Sequence, residues 1–200
     1  ILNKKDLRFK EFFRTMIFVP CTTSLVAYSI IFRSLFANNG LVNYVLVNLG
    51  ILDKPYNFLT QPFAAKMVII LALLWRWTGY NMVFFLSGLQ NIEYSVKKKK
   101  KIDGASAIQT FFKITVPLLK PTILLTAIMS TNGTLQLFDE SINLTDGGPA
   151  NASISMSHYI YNLCFKYVPN FGYAAAMSFF ILLLVAVLAF IQMRVGDKRD

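Results

Sequence analysis

Apolar residues in this 200-residue chain gather into four long stretches separated by polar, charged or turn-forming segments. A bilayer's hydrocarbon core, about 30 Å thick, takes roughly 20 helical residues at about 1.5 Å each. Residues 16–36, 67–89, 118–138 and 174–195 reach that length. The first carries Pro20 and Arg33, the second is interrupted by Trp75-Arg76-Trp77, and the third turns polar in its second half. The fourth is apolar without interruption from Phe179 to Ile191. Residues 41–52 are apolar but too short to span, and Gly50 and Pro55 close them, which predicts a short helix lying at the interface. Residues 158–171, rich in Tyr159, Tyr161, Phe165 and Tyr167, predict another after the turn signal Thr145-Asp146-Gly147-Gly148-Pro149. The expected fold class is an all-α integral membrane protein, with no internal repeat and no second domain.

Composition agrees: 55% of residues are hydrophobic and the mean hydropathy is +0.50, above the range of ordinary soluble domains. A net charge of +10 raises nucleic acid as a partner, but the distribution excludes it. Fifteen of the 20 Lys and Arg fall in residues 1–14, 97–120 and beyond 193, each patch bordering an apolar stretch. Between the spans, residues 37–62 and 139–171 hold only Lys54 and Lys166. Basic flanks mark the cytoplasmic side, so one orientation satisfies all four spans. Cys21 and Cys164 show neither metal spacing nor a disulfide framework, and His158 is the sole histidine. No metal site and no catalytic residue is expected. The chain lacks Gly-x-x-x-x-Gly-Lys-Ser/Thr, so ATP would have to be bound elsewhere. It starts at Ile1 without Met or a signal-peptide pattern, which suggests part of a longer protein.

The segment between the second and third spans, about residues 93–117, is the most informative. It holds a lysine run from Lys97 to Lys101, then Asp103-Gly104-Ala105, and nine residues after Gly104 comes Ile114-Thr115-Val116-Pro117. Gly104 permits a tight turn between two short helices, since it tolerates positive φ. After it, Ala105, Ile108, Phe111, Phe112 and Thr115 recur at helical spacing, an apolar stripe that needs a surface to bury against. Pro117 is expected to open the next span, where a missing N–H costs little. An ordinary amphipathic loop resting on lipid is the bland alternative.

The spacing resembles the cytoplasmic coupling loop of ATP-binding-cassette importer permeases, whose pattern is Glu-Ala-Ala, three residues, Gly, nine residues, Ile-x-Leu-Pro. Gly104 and Pro117 fall in register, and the Glu-Ala-Ala positions are Lys98, Lys99 and Lys100. Leu86–Ile92, the run from Phe138-Asp139-Glu140 to Pro149-Ala150, and Phe171–Ser178 resemble further parts of the sugar-importing branch, the maltose and glycerol-phosphate type. This resemblance implies the last four of six spans of a permease domain, residues 1–200, incomplete at its N-terminus. It implies a cytoplasmic coupling-loop helix pair and a multi-pass chain in a bacterial inner membrane. It also implies a second permease, two ATPase subunits holding ATP and Mg, and an external sugar-binding protein, with no cofactor in this chain. ATP hydrolysis would lie in those partners, so this chain is not itself expected to be an enzyme. The lysines depart from the pattern, and five adjacent ammonium groups disfavour a helix. Three readings stand: an altered stretch in a working permease, a partner with an acidic cleft, or a polybasic flank for anionic lipid.

Within the spans, Trp77, Tyr80 and Asn81 on the second and Asn132, Thr134 and Gln136 on the third are costly in lipid unless they face protein or water. Amides and aromatic rings suit sugars, and the resemblance places the matching stretches along the translocation cavity. The expected substrate path is therefore Trp77, Tyr80, Asn81, Asn132 and Gln136; the alternative is that they are hydrogen-bonding glue between helices. Two-residue steps turn a helix by about 200°, so Thr134 cannot share the face of its neighbours. Arg33 and Arg76 are expected to snorkel or pair. Asp139 and Glu140, read as loop residues, are expected to be hydrated rather than ligand-binding. A rival function is an ion-coupled secondary carrier or channel, but such a carrier needs acidic residues within its spans, and these spans hold none in their cores. A membrane anchor for an enzyme complex is disfavoured by the polar third span.

Overall fold

A computed structural model describes residues 8–99 and 107–196, and within them the side chains of all but 93–99 and 107. The described residues hold helices and no strand. In order these are α1 Lys10–Thr22, α2 Leu25–Leu35, α3 Leu41–Asn48, α4 Pro62–Lys99, α5 Ala107–Thr110, α6 Val116–Leu135, α7 Asp139–Thr145, α8 Met156–Tyr161 and α9 Phe171–Gly196. A π turn at Phe111–Thr115 joins α5 to α6, another at Asn162–Lys166 follows α8, and a short 3₁₀ turn covers Pro149–Asn151. Among the described residues three helices are long and apolar enough to cross a membrane, and the pair α1 and α2 makes a fourth if taken as one broken span.

That break corrects the uninterrupted first span over 16–36. Pro20 removes a backbone donor inside α1, and the polar run Thr22-Thr23-Ser24 offers hydroxyls that compete for backbone groups. The chain restarts at Leu25 after an extended Ser24. Part of the segment expected as the coupling loop, residues 100–106, lies outside the described residues; on either side of it the described flanks belong to long helices, since α4 runs to Lys99 and the helix from Ala107 continues through the π turn into α6. Pro117 therefore lies inside a continuous helix rather than opening one. A proline leaves the carbonyl four residues back without its usual donor, and a wider turn absorbs the mismatch. Here the N–H of Val116 reaches the carbonyl of Phe111, and the Thr115 hydroxyl donates to the carbonyl of Thr110 at 3.3 Å. The described part of the lysine run, Lys97–Lys99, is helical although adjacent ammonium groups disfavour it. Extending an existing long helix adds one bond per residue, while each like-charge pair opposes by only about 0.2–0.5 kcal/mol.

The chain divides into two compact units. One comprises the segment ending at Cys21, Trp77–Thr131 and the segment from Val187. Its helices pack through small residues: a Cβ on Gly79 would overlap the carbonyl oxygen of Ile17 in α1, and one on Gly88 would stand 2.8 Å from Leu119 Cδ2 in α6. The other comprises Thr22–Arg76 and Asn132–Ala186. Its core is Tyr28, Phe32, Val68, Ile69, Ala72 and Leu144, which joins α2, α4 and α7. The short helix expected over 41–52 is α3; it ends at Asn48, where Gly50 takes φ +70° and lets the N–H groups of Ile51 and Leu52 cap the carbonyl of Leu46. Asn43, almost fully buried, holds the following loop: its amide donates to the carbonyls of Ala37 and Tyr56 at 3.0 Å each and accepts from the Tyr56 N–H at 2.7 Å. The last span, α9, buries only Ala174 and Ile181 and leaves Phe179, Phe180, Leu182 and Leu183 exposed, a surface suited to lipid or to partner helices.

Candidate functional site

Within the first unit, the Trp77–Lys99 part of α4 carries an aromatic ladder. Trp77 meets Tyr80 edge-on at 5.4 Å between ring centroids, and Tyr80 lies 5.0 Å from Phe84. Three- and four-residue steps keep these rings on one helix face. The Tyr80 hydroxyl reaches the thioether of Met129 on α6 at 3.8 Å, a weak bond that leaves most of its capacity available. On the same helix the carbonyl oxygen of the Asn81 amide is buried without a hydrogen-bond partner. On α9, the Gln192 amide donates to the Thr131 hydroxyl of α6 at 2.8 Å, and its carbonyl oxygen is likewise buried and unpartnered. Gln192 escaped the sequence reading because it ends the most apolar stretch of the chain. A lone amide next to such a run was the only available signal.

Asn132 and Gln136 lie in the second unit. They are four residues apart, both exposed, and the Gln136 amide donates to Asn132 Oδ1 at 2.7 Å. That bond runs along one helix, so it orients two amide groups outward instead of tying α6 to a neighbour. The groups that Asn132 and Gln136 expose are neutral amides, which can hydrogen-bond hydroxyl-rich ligands.

The second unit also contains a buried charge cluster. Tyr28 of α2 donates its hydroxyl to Glu140 Oε1, and Arg76 of α4 places Nη1 3.6 Å from the same oxygen. The Arg76 guanidinium also sits 5.7 Å above the Tyr28 ring. Glu140, whose side chain is 5% exposed, is therefore paired and not hydrated, a correction to its reading as a loop carboxylate. The cause is α7: residues expected as loop form a helix, and its first turn turns Glu140 toward α2. Arg76 pairs, as one of its two expected roles required.

In the segment expected as the coupling loop, Ile108, Phe111 and Phe112 stand exposed, and the two Phe rings meet edge-on at 5.1 Å. An exposed apolar ridge of this kind marks a contact surface. Ile114 is half-buried within the π turn and Pro117 is exposed in the first turn of α6. Lys98 and Lys99 end α4, their side chains undescribed, and Lys100, Asp103, Gly104 and Ala105 lie outside the described residues. Among the described residues no cluster of His, Cys, Asp and Glu could hold a metal ion.

The family described as "Binding-protein-dependent transport system inner membrane component" matches residues 3–199. The chain is 53% identical over 201 residues to the lactose transport system permease protein LacF of Rhizobium radiobacter, covering 100% of this chain and 67% of that protein. It is 32% identical over 200 residues to the arabinooligosaccharides transport system permease protein AraP of Bacillus subtilis, covering 98% of this chain and 63% of that one. A solved bacterial ABC transporter involved in import of the acidic polysaccharide alginate has the same fold, with a TM-score of 0.83 at 21% identity over 98% of this chain and 69% of that one. The chain thus spans about two thirds of the length of these relatives.

Proposed function

The chain belongs to the family of binding-protein-dependent transport system inner membrane components, and we propose that it is the permease subunit of an ATP-driven importer for sugars or oligosaccharides. The observation that carries the substrate class is the 53% identity, across the whole chain, to a lactose transport permease. The residue types are compatible with that class: Trp77 and Tyr80 bring rings, Asn132 and Gln136 exposed neutral amides, and Asn81 a buried carbonyl oxygen without a partner. On this reading the spans form the path in a bacterial cytoplasmic membrane and alternate access by rocking. Separate ATPase subunits supply the energy, holding ATP and Mg themselves, and press on the ridge of Ile108, Phe111 and Phe112. A second permease and an external sugar-binding protein complete the assembly.

The reading is tested by isolating the complex with this chain tagged and reconstituting it into liposomes. Lactose uptake should require an ATPase subunit, internal ATP and the external binding protein. Uptake driven by an ion gradient with no ATPase present would establish the secondary-carrier alternative instead. In the same system Gln136→Leu or Asn81→Leu should reduce uptake or change sugar preference while the ATPase stays bound. Lost assembly with unchanged uptake per surviving complex would make these residues helix glue. Replacing Lys98, Lys99 and Lys100 with Glu, Ala and Ala should tighten ATPase association if the ridge docks as proposed. If the lysines serve anionic lipid, only membrane binding should fall.

A further inference from the structure

The turn between α7 and α8 is built around the one histidine of the chain. His158 is fully buried, and its hydrogen bonds determine which ring nitrogen carries the proton. The Ser141 hydroxyl donates its single hydrogen to the carbonyl of Ser153 at 2.8 Å and accepts the N–H of Ser155 at 3.2 Å. Its contact of 2.9 Å with His158 Nδ1 must then be a bond that the ring donates. Nδ1 holds the proton, and Nε2 is left as a bare lone pair. That atom is buried with no hydrogen-bond partner, yet it lies 3.8 Å from the carboxylate of Asp146.

Asp146 ends α7 in a left-handed conformation, φ 49° and ψ 43°, so its side chain is carried by a backbone already turned. Lys166 holds it from the other side, donating Nζ to both carboxylate oxygens at 3.0 and 3.2 Å. Gly147 packs directly against the ring: a Cβ there would stand 3.6 Å from His158 Cε1. Asp146 and Lys166 are the charged groups acting on the imidazole, and Ser141 and Phe138, which also touch it, stay neutral.

We propose that His158, Asp146 and Lys166 form an acid-operated latch in this turn. When Nε2 takes a proton, a lone pair without a partner becomes a donor facing a carboxylate less than 1 Å beyond bonding reach. Asp146 is then shared between His158 and Lys166, and the turn that carries it, from Asp146 to Ser155, is pulled toward the ring. Burial is the largest influence on His158 and holds its pKa below the usual 6.5; the Asp146 carboxylate raises it, and the Lys166 ammonium lowers it as burial does. The ring is therefore neutral at neutral pH and switches in a more acidic medium. The charge-derived orientation puts this turn outside the cell, so the latch reads external pH. The inference does not depend on which substrate is carried.

The experiment is ¹⁵N NMR of the assembled complex with this chain labelled at histidine, the signal being identified by its loss in His158→Gln. At neutral pH the shifts should report the Nδ1–H tautomer, and the midpoint should lie below 6.5. Asp146→Asn should lower the midpoint and Lys166→Met should raise it, each by about 0.5–1 pH unit, a shift reduced by the exposure of both side chains. Amide hydrogen exchange over residues 146–155, corrected for intrinsic rates, should change across the same window in the wild type. The Nε2–H tautomer at neutral pH would overturn the proposal. So would one midpoint shared by wild type, Asp146→Asn and Lys166→Met, or a turn whose exchange ignores the titration. Both of those side chains are about half exposed or more, so these variants keep the test open even if His158→Gln folds poorly.

Discussion

Removing Glu140 should unfold this protein far more readily than removing Glu140 and Arg76 together. The two charges lie 3.6 Å apart, with side chains 5% and 26% exposed. At an effective dielectric of about 20, their attraction is about 4.6 kcal/mol. Withdrawing both from water costs a similar amount, so the pair contributes little net stability. Deleting one partner is different. Glu140→Leu strands a partly buried guanidinium and should cost about 3–5 kcal/mol, and Arg76→Leu should cost a similar amount by stranding the carboxylate. Tyr28→Phe removes only a hydroxyl bonded to a charged group and should cost about 1.5–3 kcal/mol. The double variant Glu140→Leu/Arg76→Leu leaves no stranded charge and should recover most of the loss. At about 2–4 °C per kcal/mol, Glu140→Leu and Arg76→Leu should each lower the midpoint of thermal unfolding by roughly 6–20 °C, and Tyr28→Phe by roughly 3–12 °C. Fluorescence-detected size exclusion of the tagged complex after heating reads this directly. If the double variant loses as much as the two singles summed, within about 0.5 kcal/mol, the charges are not coupled and the cluster is misread.

Three further outcomes are expected. Gly79→Ala should destabilise by about 1–3 kcal/mol, although alanine is the better helix former, because its Cβ meets the backbone carbonyl of Ile17 and α1 must shift; unchanged thermal unfolding would contradict the close packing. Asn43→Ala should cost about 3 kcal/mol locally, since two carbonyls and one N–H lose their partner, and Asn43→Asp should not rescue it because both lost donors stay lost. Hydrogen exchange over residues 52–58 should rise in both variants, and an unaltered rate would show the loop is held otherwise. In intact cells, a membrane-impermeant thiol reagent should label Cys164 faster than Cys21, both free and half-buried, and should reach a cysteine placed at Ser106 only after the membrane is opened. Labelling of the Ser106 site from outside would reverse the orientation.

The sequence alone located the three described helices long and apolar enough to cross a membrane, because hydrophobicity over about 20 residues is a local sum that needs no knowledge of neighbours. Locality also explains the short helix after Gly40, and the common face of Asn132 and Gln136, which follows from four steps of about 100°. What the helices do beyond their own length was not legible. Pro117 reads as a helix start, yet a π turn over Phe111–Thr115 supplies the bonds that carry the helix past it. The break after Thr22 and the extension to Lys99 depend likewise on how competing backbone bonds resolve. Glu140 reads as a hydrated loop carboxylate, because its partner Tyr28 is 112 residues away and comes near only when α7 packs on α2. His158 reads as a residue of an aromatic interfacial helix, and nothing in its neighbours announces that Ser141, 17 residues earlier, will accept its proton. Hydropathy belongs to a segment and is written in it. Burial, pairing and protonation belong to the space around a side chain, and only the tertiary structure brings the other half of each pair into that space.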